Sequence, residues 1–145
     1  MRTLLHLSDL HFGRVDAGLL DPLCAFAREL APDLVVVSGD LTQRARTVQF
    51  EQARHFLDTL PLPQIVVPGN HDVPLHDVVS RFARPLEKFR RLVTQDVLPT
   101  WVDGEIGVIG IDTSRSLTFK GGRINQRQID GLVAAFEAMP AGLIK

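Results

Sequence analysis

The sequence predicts an α/β fold in which βαβ units build a mostly parallel sheet. Three observations point there. Short β-branched runs alternate with stretches whose apolar residues recur at helical spacing. The polar ends of the first three runs fall at Asp9, Asp40 and Asn70, 31 and then 30 residues apart, which is room for a strand and a crossover helix. The runs are continuous, as in "DLVVVSGD", and lack strict alternation; strands buried on both faces read this way. At 145 residues the chain is long enough for one domain with a real core.

The elements follow in order. "TLLHLS" (3–8) is an apolar run that ends in polar residues. "DAGLLDPLCAFARELAP" then places Leu20, Leu23, Cys24, Ala27 and Leu30 at helical spacing, and Pro32 stops that helix. "DLVVVSGD" (33–40) is the second strand. "ARTVQFEQARHFLDTL" is a second helix with Phe50, Ala53, Leu57 and Leu60 on one face. "QIVVPGNHD" is the third strand and its exit. "VSRFARPLEKFRRLVT" reads as a helix broken at Pro85. "EIGVIGIDTS" (105–114) is expected as a fourth strand. "NQRQIDGLVAAFEAMP" is expected as an amphipathic helix with Ile129, Leu132, Val133 and Phe136 inward, capped by Asn125 with Gln128 three residues on.

Composition narrows the class. Hydrophobic residues are 45% of the chain, an ordinary globular value. The formal charge of −1 gives no global pull toward nucleic acid or acidic membranes. The single cysteine, Cys24, forms no internal disulfide and falls in an apolar helical pattern, so it reads as a small core residue. No run reaches the ~18 apolar residues of a membrane span. Neither membrane insertion nor secretion is indicated, and a cytoplasmic location is the expectation.

Parallel crossovers bring the carboxyl ends of the strands to one edge. Each of the first three runs ends there in similar chemistry: "SDLH" with Ser8, Asp9 and His11; "SGDLT" with Gly39 and Asp40; "PGNHD" with Gly69, Asn70, His71 and Asp72. The collected side chains are carboxylates, imidazoles and an amide oxygen, with no thiolate. That set suits Mn²⁺, Fe²⁺, Zn²⁺ or Mg²⁺. A metal pair needs a bridging carboxylate, and Asp40 on the middle motif is its natural source. The alternatives for these positions are solvated turns, a helix N-cap at Asp40 and an Asx turn at Asn70.

"SDLHFG", "SGDLT" and "PGNHD" in this order resemble the successive motifs of the calcineurin-like metallophosphoesterase superfamily, in its cyclic-nucleotide phosphodiesterase-like branch. The resemblance covers essentially the whole chain and implies the N-terminal half of a four-layer α/β/β/α sandwich. It implies two divalent ions, with Asp9 and His11 on the first, Asp40 bridging and Asn70 on the second. His71 would contact the scissile phosphate or protonate the leaving alkoxide, and Asp72 would orient His71. The nucleophile would be a hydroxide between the metals, so no protein nucleophile is needed.

The sequence departs from that pattern in one respect. The family continues with three further histidine ligands, and no histidine follows His76 here. Residues 1–145 are therefore expected to be one metallophosphoesterase domain cut short at its C-terminal side, with weak metal binding on its own.

The remaining candidates have plainer readings. His6 is expected as a packed or hydrogen-bonded histidine, His55 as a surface residue and His76 as a loop residue. Asp112 is either a sheet-end residue or a neighbour of the site. Arg44 and Arg46 are either phosphate contacts or a solvated helix start.

"GDLTQRA" lacks the second aspartate of the related protein phosphatases, and "GNHD" stands where they have Gly-Asn-His-Glu. Both features favour small phosphodiesters over phosphoproteins. A nuclease is a second possibility, although no clear basic groove is present. A non-catalytic relative acting as an interaction module, in an oligomer or with another partner, is a third. A metal-free nucleotide-binding fold is disfavoured, because no G-x-G-x-x-G follows the first strand.

Overall fold

The structure, a computed structural model, describes residues 1–75, 82–114 and 122–145. Its centre is a three-stranded parallel sheet in the order β1-β2-β3, formed by β1 (Leu4–Leu7), β2 (Leu34–Ser38) and β3 (Gln64–Val67). Leu5 pairs with Val35, and Val36 with Ile65. A 3₁₀ turn (Ala17–Leu19) and α1 (Leu20–Leu30) connect β1 to β2, while α2 (Thr47–Thr59) connects β2 to β3. Parallel neighbours require such crossovers, so all three strands end at the same edge.

The apolar spacing explains the packing. Leu34, Val35 and Val37 of β2 are buried, as are Phe50, Ala53 and Leu57 of α2 and Cys24 and Ala27 of α1. Each large apolar side chain removed from water this way contributes about 1.5–3 kcal/mol. α3 (Glu87–Leu92) starts just after Pro85 and packs Phe89 edge-on to Phe50, with ring centroids 6.5 Å apart. Ala31 takes a left-handed conformation and ends α1 ahead of Pro32.

Two expectations are corrected. The run 105–114 does not extend the parallel sheet. It supplies β5 (Gly107–Ile109), which pairs antiparallel with β4 (Thr100–Val102) in a two-stranded sheet of its own. Asp103 and Gly104 turn the hairpin, and the Asp103 carboxylate accepts the N–H groups of Glu105 at 2.7 Å and Ile106 at 2.9 Å. An Asp-Gly pair between apolar runs is the sequence signal for such a turn. The segment after β5 lies directly on β3: a Cβ added at Gly110 would sit 2.5 Å from Cγ1 of Val67.

The second correction concerns α4 (Gln126–Ala138). Its cap is as expected, with Asn125 and Gln128 exchanging hydrogen bonds of 3.0 Å. Its apolar face is not buried, since Ile129 is 42% and Val133 51% exposed. Periodicity says which residues share a face and leaves open what covers it. Among the described residues, no helix is long and apolar enough to cross a membrane.

Candidate metal centre

The loops leaving β1 and β2 run side by side beyond the strands. Asp9 N–H donates to the Gly39 carbonyl at 3.3 Å, His11 N–H to Asp40 at 2.9 Å and Phe12 N–H to Leu41 at 2.7 Å. Gln43 N–H returns to the Phe12 carbonyl at 3.0 Å. The loop leaving β3 joins them through His71, whose N–H donates to Asp40 Oδ1 at 3.0 Å. These bonds bring three motifs, far apart in sequence, to one edge.

Three motif residues hold left-handed backbone conformations: Asp9 with φ 56°, His11 with φ 47° and Asp40 with φ 52°. Such positions cost a non-glycine residue on the order of 1–3 kcal/mol and persist where the surroundings over-determine them. Gly39, with φ 87°, makes the close approach possible, because a Cβ there would meet Gly69 Cα at 2.8 Å.

His11, Asp40 and His71 each present a ligand atom, and these atoms lie within 4.8 Å of one another. His11 Nε2 is 3.6 Å from Asp9 Oδ1 and 4.0 Å from Asp40 Oδ2. Both separations exceed a hydrogen bond. Two donors about 2.1 Å from one tetrahedral ion stand about 3.4 Å apart, near the separations seen. Nδ1 of His11 is buried and has no hydrogen-bond partner among the described residues. The rings of His11 and His71 meet edge to face at 4.8 Å. Nε2 of His11, facing two carboxylates with no hydrogen bond among the described residues, fits a divalent cation, and so does the oxygen and nitrogen character of the set. Asn70 opens the 3₁₀ turn Asn70–Asp72 and lines the same cleft as Asp9 and Asp40.

The structure does not pair Asp72 with the His71 ring, as the sequence suggested. The Asp72 carboxylate is buried and accepts N–H groups of Leu41 at 3.1 Å, Thr42 at 2.8 Å and Gly69 at 2.9 Å, plus the Thr42 hydroxyl at 3.0 Å. Burial pushes its carboxyl up to about 6, against the pull of those hydrogen bonds. The residue that orients His71 is Gln43, whose carbonyl lies 3.0 Å from His71 Nδ1. Asp72 acts one step further back, by tying the β2 exit loop to the β3 exit loop.

The other candidates separate cleanly. His6 hydrogen-bonds Ser38 Oγ at 2.6 Å, and His55 is exposed on α2. Asp112 accepts the N–H and hydroxyl of Ser114 at 2.8 and 2.6 Å, a turn role beside the cleft. His76 lies outside the described residues. Sequence reasoning passed over Thr42 and Gln43, although both stand next to Asp40 in the motif region. It also passed over Arg14, three residues after His11. A cavity of about 740 Å³ beside Arg84, Arg90 and Asp112 contains none of the motif residues.

The profile of the calcineurin-like phosphoesterases matches residues 2–138. The chain belongs to that family. All six motif residues, Asp9, His11, Asp40, Asn70, His71 and Asp72, lie within the matched stretch. The chain is similar to the glycerophosphodiester phosphodiesterase GpdQ of Enterobacter lignolyticus, 38% identical over 81 residues, which are 48% of this chain and 29% of that protein. It is also similar to a probable cyclic nucleotide phosphodiesterase of Synechococcus, 36% identical over 87 residues, covering 54% of this chain and 34% of the relative. The matches thus span about a third of the length of these relatives. Among solved structures, the phosphopantetheinyl hydrolase of Mycobacterium tuberculosis superposes with a TM-score of 0.48 at 19% identity, over 98% of this chain and 52% of that one.

Proposed function

We propose that this chain carries the metal-capturing motifs of a metal-dependent phosphodiesterase, with Asp9 and His11 on one divalent ion, Asp40 bridging to a second and Asn70 on the second. Mn²⁺, Fe²⁺ and Zn²⁺ are the candidates for both. The observation that carries the reading is His11: a histidine without a hydrogen bond at either nitrogen among the described residues, clustered with Asp40 and His71 on a strained backbone. When bound, such ions supply Lewis acidity to the phosphoryl group and activate water.

The chain's own groups have distinct tasks. Asp40 presents Oδ2 to the site while His71 N–H holds Oδ1. The Gln43 carbonyl keeps the proton of neutral His71 on Nδ1, which leaves Nε2 as the open nitrogen. Protonated at Nε2, His71 would donate to a phosphate oxygen or to the leaving alkoxide. Asp72 is a positioning residue for the two loops.

Small phosphodiesters are the proposed substrates, as the names of the two bacterial relatives and the short motif signatures suggest. The proposal treats residues 1–145 as part of one metallophosphoesterase domain. It places the protein in the cytoplasm, where the lone thiol of Cys24 stays reduced. The family pattern calls for three more histidines, and the sequence has none after His76. Metal capture is therefore the first property to measure, and hydrolysis belongs to the complete ligand set.

The test is a Mn²⁺ titration of wild type and Asp9→Ala, followed by assays with bis-p-nitrophenyl phosphate, cyclic AMP and single-stranded DNA. Metal binding lost in Asp9→Ala is expected of this chain, and turnover of the small diesters is expected of a protein that carries the complete ligand set. Binding indifferent to Asp9 and Asp40 would overturn the ligand assignment. Rapid DNA cleavage with inert small diesters would overturn the substrate class.

A further inference from the structure

Resting on the phosphodiesterase reading, we propose that Arg14 forms an anion subsite that holds the phosphoryl oxygens of the incoming substrate. The cleft has two lobes that share Asp9. The smaller, about 240 Å³, contains Asp40 and Asn70 and has no lysine or arginine in its lining. The larger, about 520 Å³, is lined by Asp9, His11, Gln43 and His71, and Arg14 is its only arginine or lysine. Arg14 is thus the one permanent cation facing the site among the described residues.

The guanidinium has no ion-pair or hydrogen-bond partner among the described residues. Arg2 and Arg54, in contrast, are engaged by carboxylates. The Arg14 backbone is held in place. Its N–H donates to the His11 carbonyl at 2.9 Å, Val15 N–H reaches the same carbonyl at 3.2 Å, and the loop is pinned to Gln43 through Phe12. Arg14 is exposed and makes no ion pair with Asp9, the carboxylate that lines the same lobe. Left unpaired, it presents the planar donor fork that matches phosphate oxygens. Arg44 and Arg46, read from the sequence as either phosphate contacts or a solvated helix start, line neither lobe.

A group that holds the anion and takes no part in bond breaking sets KM more than kcat. The test is calorimetric titration of inorganic phosphate into wild type, Arg14→Gln, Arg14→Lys and Arg44→Gln, each with and without Mn²⁺. A separate Mn²⁺ titration is run for every variant. The expected result is phosphate affinity reduced about ten- to hundredfold in Arg14→Gln, partly restored in Arg14→Lys and unchanged in Arg44→Gln, with Mn²⁺ affinity unchanged throughout. Equal phosphate affinity in wild type and Arg14→Gln overturns the subsite. So does absence of phosphate binding to wild type in both conditions. Loss of Mn²⁺ binding in wild type would instead count against the metal reading, while the metal-free phosphate titration still decides on Arg14.

Discussion

Asp72 and Thr42 are joined at two points: one carboxylate oxygen of Asp72 accepts the Thr42 N–H at 2.8 Å and the Thr42 hydroxyl at 3.0 Å. The same hydroxyl lies 3.1 Å from the His71 carbonyl and accepts the Ala45 N–H at 3.0 Å. The loops after β2 and β3 are therefore locked behind the site, and the lock places Asp40 beside His71. Thr42→Val removes the hydroxyl from a fully buried position and leaves its partners short of a bond. It is expected to cost about 1–3 kcal/mol and to weaken Mn²⁺ binding through the displaced Asp40. Urea denaturation read beside a metal titration checks both. A destabilised variant with wild-type metal affinity would separate the lock from the site.

The same carboxyl makes stability depend on pH. Burial holds the Asp72 proton to about pH 6 in the folded chain, against 3.8 for the ordinary group. The folded state therefore binds more protons than the unfolded state between about pH 4 and 6, and stability must fall as pH rises through that window. The contribution is fully present below about pH 4 and is gone above 6, a change on the order of 3 kcal/mol. Urea midpoints of metal-free protein between pH 4.5 and 7.5 should show this slope. Asp72→Asn, which cannot titrate, should flatten it. An equal slope in both proteins would assign it to other groups.

Two glycines are held by contact. A Cβ at Gly69 would stand 2.2 Å from Asp40 Oδ1 and 2.3 Å from Asp40 N, and one at Gly39 would meet the Gly69 backbone. Gly69→Ala should push Asp40 out of place and reduce Mn²⁺ affinity more than stability. Gly39→Ala adds a strained left-handed alanine to the same clash, so its stability loss should be the larger, about 1–3 kcal/mol from the backbone alone. Thermal melts and metal titrations of the pair would rank them. The reverse ranking would refute this account of the close approach.

Asp40→Asn keeps an oxygen for the His71 N–H but removes the charge. If Asp40 is the bridging ligand, Mn²⁺ affinity should fall by at least about tenfold, while the denaturation midpoint changes little. Circular dichroism and a metal titration on the same sample distinguish a lost ligand from a lost fold.

Much of the architecture was legible because local chemistry and periodicity agree with it. The continuous run Leu34–Ser38 does lie in the centre of the sheet, and Phe50, Ala53 and Leu57 do share a buried face. Asp103 and Gly104 announce the hairpin, but an apolar run after a helix has the same local pattern as one more parallel strand. For α4, Ile129 and Val133 sit on one helical face as the pattern required, yet a pattern carries no information about a partner for that face.

At the site, the sequence by itself determined which residue types end each strand and at what interval, and hence the family. It could do so because strand ends and turns are specified by neighbours in the chain. Only the tertiary structure decided the partners. Asp72 binds Thr42, Leu41 and Gly69 in place of the ring next to it in sequence, Gln43 orients His71, and Arg14 faces the cleft where Arg44 and Arg46 do not. The physical reason is that the bonds of Asp72 to Leu41 and Thr42, and of His71 to Gln43, are made across about 30 residues by loops from different strands, and the direction of a side chain at a left-handed residue is set by the packed loops around it.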